Sequence, residues 1–160
     1  MRASSTATTA TTARTKNVHR PVVVPANDPA MLLARARNEA FSQASKGNLG
    51  GGLGVLYDAL QGEPMSHDLM SDMAALLLAA GKLEHAAGYA ERALQARSLH
   101  GPSLYTLAFA LSGQGHVDRA IGVLTELQSG AGRDSLQAEA PELVPVAMIE
   151  LERLRRQRKG

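Results

Sequence analysis

The sequence predicts an all-α fold of short, repeated helices, and three observations carry that expectation. Alanine and leucine supply 49 of the 160 residues, whereas valine and isoleucine together supply 11. Such a balance favours helices and is poor in the branched residues that fill pleated sheets. Apolar residues recur at three- and four-residue spacing in short runs, each closed by glycine. The closing glycines are Gly47, Gly81 and Gly115, which are evenly spaced, so the runs share one period. The length suits one domain with tails.

The elements follow in order. Residues 1–27 hold six of the eight threonines, four basic residues and no acid. Their low hydrophobicity cannot offset the entropy of ordering, which predicts a disordered arm. A transit peptide would share this composition, but no amphipathic helix is evident, and no apolar run is long enough for a signal core or a membrane span. Asp28 followed by Pro29 reads as an N-cap and first helical position. Met31, Leu32, Ala36, Ala40, Phe41 and Ala44 then recur at helical spacing until Gly47. Gly50, Gly51, Gly52 and Gly54 crowd the next segment. Each costs about 1 kcal/mol against alanine inside a helix, so the expected start of the second helix moves to near Leu53. Residues 68–80 form a further helix closed by Gly81, and 102–111 another closed by Gly113 and Gly115. The Ser-Gly-Ala-Gly stretch at 129–132 reads as a loop. Pro141 or Pro145 then opens a last helix over about 142–156, a proline being harmless in the first turn. Leu143, Val146, Ala147, Met148, Leu151 and Leu154 are its apolar face, and its end frays into a basic tail.

The period extends to other rows. Five residues after each closing glycine stand Gly52, Ala86 and Ala120; seven before stand Ala40, Ala74 and Ala108. Leu49, Leu83 and Val117 follow each glycine by two. With these residues the chain resembles a tetratricopeptide repeat (TPR) array. The resemblance implies three helix-turn-helix units, at 33–66, 67–100 and 101–134, in a short right-handed superhelical array, with residues 135–160 as loop, capping helix and basic tail. Glycine tolerates the tight turn between paired helices, and small residues let those helices approach closely. One pair cannot bury its apolar face alone, so the units stack. The large aromatic usual in the family's second helix is replaced by Leu56, Ala90 and Leu124.

Composition and motifs exclude most chemistry. There is no cysteine, hence no disulfide, thiolate-held metal or cysteine nucleophile. The five histidines show no i, i+3 or i, i+4 pair; His85, His100 and His116 fall at repeat turns and read as solvated, so no metal is expected. The glycine cluster has Leu53 and Gly54 where a phosphate loop needs Lys and Ser or Thr. No Gly-x-Ser-x-Gly elbow occurs. The sequence therefore predicts no enzyme and no cofactor. The net charge of +2 divides unevenly. Four bases in 1–27 and five in 153–160 leave eight against fifteen acids between them, a body of −7. A nucleic-acid partner is disfavoured, since a duplex-binding domain carries its charge on a folded face and only five aromatics are available for stacking.

The resemblance further implies a concave groove lined by the first helix of each unit. Carried over, its positions are Ala34, Arg37, Phe41, Ala44 and Ser45; Asp68, Ser71, Ala75, Leu78 and Ala79; Pro102, Tyr105, Phe109, Ser112 and Gly113. Three of the five aromatics thus face one surface, which suits an apolar peptide or helical segment. Phe41, Asp72, Pro102 and Thr106 occupy positions where chaperone-binding TPR domains hold an acidic C-terminus, so that clamp is expected to be missing. In size and layout the chain also resembles the small cytosolic chaperones of bacterial type III secretion, which hold an apolar segment of a secreted subunit. An alternative is an assembly adaptor whose basic C-terminus meets an anionic membrane surface or nucleic acid, and self-association stays open.

Overall fold

The computed structural model describes residues 28–160; the expected N-terminal arm lies outside the described residues. Within them are eight helices and no strand: α1 Pro29–Ser45, α2 Leu49–Gly62, α3 His67–Ala79, α4 Leu83–Ala96, α5 Gly101–Gly113, α6 Val117–Thr125, α7 Gly130–Glu139 and α8 Leu143–Lys159. The pairs α1–α2, α3–α4 and α5–α6 pack antiparallel and stack in sequence. No described helix is long and apolar enough to cross a membrane.

The turns show why glycine recurs at a fixed period. Gly47, Gly81 and Gly115 adopt φ of 84°, 74° and 80°, a region that costs an L-residue roughly 1–2 kcal/mol. The residue after each glycine (Asn48, Lys82 and His116) donates its backbone N–H to the carbonyl five residues back, each time at 2.9 Å. This is the 6→1 bond of a Schellman cap, which satisfies an otherwise orphaned helix carbonyl. Small residues then let the paired helices close. Ala40, Ala74, Ala108, Ala86 and Ala120 are all fully buried.

The glycine cluster does not delay α2, which begins at Leu49 rather than near Leu53. Asn48 caps it: the Gly51 N–H donates to Asn48 Oδ1 at 3.0 Å. A Cβ on Gly51 would overlap that capping side chain, and one on Gly52 would sit 2.6 Å from the carbonyl oxygen of Ala40. Those two glycines give up helix propensity to permit a cap and a close helix contact. A further row, Gly54, Gly88 and Gly122, recurs at the same interval. Each is the sixth residue of its helix, exposed, with nothing within 4 Å of where a methyl group would stand.

Residues 130–139 correct the expected loop, for they form α7. Gly130 turns the chain at φ 74°, and Leu136, fully buried, seats the helix on α5. Gly101 can carry no side chain there, because a Cβ would collide with the Leu136 backbone. The last helix packs on α6 and runs to Lys159 without fraying. Its arginines are engaged: Arg153 with Glu150, Arg155 with Gln128, Arg156 with Glu152 and Arg158 with Asp118. Two apolar clusters hold the array. The larger joins α3–α6 to α7 and α8; the smaller, around Leu56, Leu69 and Met73, holds α1–α2 against α3. Leu77 and Tyr89 touch both.

Candidate functional site

Residues one turn apart on a helix share a face, so α1, α3 and α5 each present a short row to the concave side. Arg37 and Phe41 come from α1, Ser71, Ala75 and Leu78 from α3, and Tyr105 from α5. All six line one cavity of about 590 Å³. Phe41 is 42% exposed, so it does not merely pack between helices. Phe109 lies outside the cavity lining and stacks on Tyr105, with centroids 4.5 Å apart and planes tilted by 31°. Ser112 is turned to α8, where its hydroxyl donates to Glu150 Oε1 at 2.6 Å. The turn residues Gly47, Gly81, Ala86, Gly115 and Ala120 are structural, as described above.

The groove also holds polar contacts that repeat spacing does not show. Asp72, buried, receives a bidentate pair from Arg37 across α1 and α3, Nε to Oδ2 at 2.5 Å and Nη2 to Oδ1 at 3.2 Å. Burial pushes the Asp72 carboxyl up, and Arg37 recovers only part of that shift. The same contact raises Arg37. The directions agree physically: the enclosed carboxylate bears the desolvation, and the half-exposed guanidinium gains the partner. An acid inside the apolar run 69–79 was the available signal, since a buried charge needs a counterion. At the opposite wall, Glu139 and Glu142 from the α7–α8 junction border the cavity beside Leu143. That wall was invisible while 129–132 read as a loop.

His100 also departs from expectation. It sits at a turn, as expected, but is 2% exposed rather than solvated. Burial lowers its pKa, with Glu139 opposing. His85 and His116 are exposed.

This geometry defines the class. Helix pairs of constant period, closed by glycine and stacked around a concave row of first helices, are the TPR fold. No family model matches the sequence. No curated protein matches it either. Solved structures do match in shape. The Sgt2 TPR domain of Aspergillus fumigatus aligns with TM-score 0.66 at 17% identity, covering 79% of this chain and 78% of that one. The TPR2B domain of yeast Sti1, solved as a complex with pHsp70, gives 0.67 at 15% identity, covering 79% and 98%. The second TPR domain of human RPAP3, in complex with the HSP70 peptide SGPTIEEVD, gives 0.63 at 14%, covering 80% and 98%.

Proposed function

We propose that the chain is a non-enzymatic protein-binding module that holds an apolar peptide or helical segment in its concave groove. The observation that carries this is the exposed Phe41 facing Leu78 and Tyr105 across an open cavity of about 590 Å³. Aromatic anchors in a shallow groove supply most of the binding free energy of such segments. Two of the similar TPR domains were solved with Hsp70-derived ligands, which supports a peptide as the class of ligand. An acidic tail like SGPTIEEVD suits this groove poorly. Phe41 and Asp72 stand at positions of the carboxylate clamp, Arg37 is already paired, and Glu139 and Glu142 add negative charge.

Small size, three repeats, an apolar groove and an α-helical cap favour a chaperone of bacterial type III secretion, acting in the cytosol on a secreted translocator subunit before export. The basic C-terminus is the weaker candidate surface, because Arg153, Arg156 and Arg158 already face acids of the same chain. Co-expression with translocator subunits encoded nearby tests the reading. A soluble complex is expected, and Phe41→Ala with Tyr105→Ala should dissolve it while leaving the helical signal intact. A complex indifferent to both substitutions refutes the groove.

A further inference from the structure

Two histidines almost one repeat apart in the chain meet at one end of the groove. His67 opens α3 and His100 stands just before α5, so stacking of these helices sets the rings edge to face, centroids 5.0 Å apart. Position matters here. Ser66 caps α3 by accepting from the Leu69 N–H, and one period later the same place holds His100, which makes no capping bond. The start of α5 forgoes the ~1 kcal/mol that a serine cap supplies; its first N–H, that of Gly101, donates to Ser135 Oγ at 2.8 Å.

The His100 ring is anchored at one nitrogen. Its Nδ1 lies 2.7 Å from the buried Ser103 hydroxyl. With Nδ1–H donating to that oxygen, the Nε2 lone pair is left free. Nε2 is shut from solvent and makes no hydrogen bond; Glu139 Oε2 comes to 2.8 Å of it, outside hydrogen-bonding alignment. Asp68 Oδ1 is 3.5 Å from His67 Nε2. One ligand atom each from His67, Asp68 and His100 lie within 4.8 Å of one another.

We infer that His67, Asp68 and His100, with Glu139 alongside, bind a divalent transition-metal ion of the zinc class. Two imidazole nitrogens and one or two carboxylate oxygens are the donor set such ions prefer, whereas calcium and magnesium ask for more oxygen. The Ser103 contact fixes the His100 ring as outer-shell partners do in metal sites. The two carboxylates offset the positive ends of α3 and α5. Arg97, exposed, has Nη1 3.4 Å from His67 Nε2, so a bound ion requires it to move aside. The side chains of His67, Asp68 and Glu139 are 29%, 24% and 38% exposed, which leaves an entry path. A bound ion would tie α3, α5 and α7 together at the end of the groove. None of this depends on what the groove holds.

The test uses the full chain without a polyhistidine tag, stripped by chelator, then titrated with Zn²⁺ by calorimetry and with Co²⁺ by visible absorption. One equivalent should bind, and Co²⁺ should show the intense d–d bands of a four- or five-coordinate complex. Because His100→Gln removes a buried ring and risks misfolding, the partly exposed His67→Gln is the second variant. Either should weaken binding by at least about tenfold, the scale of losing an ordered ligand or its support. His19→Gln, His85→Gln and His116→Gln should leave it unchanged. Absence of saturable binding, binding indifferent to His67→Gln in a folded protein, or binding lost with His19, His85 or His116 overturns the inference.

Discussion

Replacing Gly54, Gly88 and Gly122 with alanine should stabilise the protein, and the size of the gain follows from their surroundings. Each lies mid-helix with negative φ and open space where a methyl would go. Alanine therefore meets no clash, and the only change is relief of the backbone entropy that glycine loses in a helix, about 0.8–1 kcal/mol per site. The three sit on different helices and share no partner, so their effects should add, to roughly 2.5–3 kcal/mol. For a domain of this size that is an increase in Tm of about 5–10 °C. Urea denaturation followed by far-UV circular dichroism reads it, with Gly52→Ala as the opposing control. There the new Cβ falls 2.6 Å from the Ala40 carbonyl oxygen and 3.1 Å from Leu76 Cδ1. Overpacking of about 1–3 kcal/mol should outweigh the propensity gain. A triple variant no more stable than the parent, or a Gly52→Ala variant as stable as Gly54→Ala, would refute the steric reasoning.

Other outcomes are expected. Gly115→Ala forces a non-glycine residue to φ near 80° and should cost about 1–2 kcal/mol in the same denaturation assay. Arg37→Leu leaves the Asp72 carboxylate buried without its counterion and should cost about 3 kcal/mol, whereas adding Asp72→Leu should recover much of it in a double-mutant cycle. Arg153 and Ser112 hold the Glu150 carboxyl below the ordinary glutamate range. A depressed pKa stabilises the fold above the unfolded value and is lost as pH falls through the folded one. The stability difference between the parent and Glu150→Gln should therefore be present at neutral pH and shrink below the ordinary carboxylate range, as measured by urea midpoints.

The period was legible because its physical cause is local. A glycine at positive φ and an alanine between touching helices are demanded by each unit, and stacking repeats the demand. Arg37, Phe41, Ser71, Ala75, Leu78 and Tyr105, placed by the same register, line one cavity, whereas Phe109 and Ser112 do not. What escaped depends on neighbours. The cost of Gly51 and Gly52 is visible in sequence, but the Asn48 cap and the Ala40 carbonyl that offset it are not. α7 has one fully buried apolar anchor, Leu136, too few for a periodic signal. His67 and His100 are separated by nearly one repeat, and only stacking shows that this spacing is contact. Gly54, Gly88 and Gly122 were visible as a row, yet the crowding of glycines around Gly54 hid it.

The division of the core into two clusters bears on how the groove works. Arg37 and Phe41 belong to α1, whose pair is seated on the smaller cluster and whose second helix is richest in glycine. Leu78 and Tyr105 border the same cavity and pack on the larger cluster. The jaw on α1 is thus seated on a smaller apolar cluster than the jaw on α5. Sub-global opening of α1–α2 needs less free energy than unfolding of the whole, and any ligand that grips both jaws stabilises the closed state by mass action. Amide exchange in α1 and occupancy of the groove are then two readings of a single equilibrium.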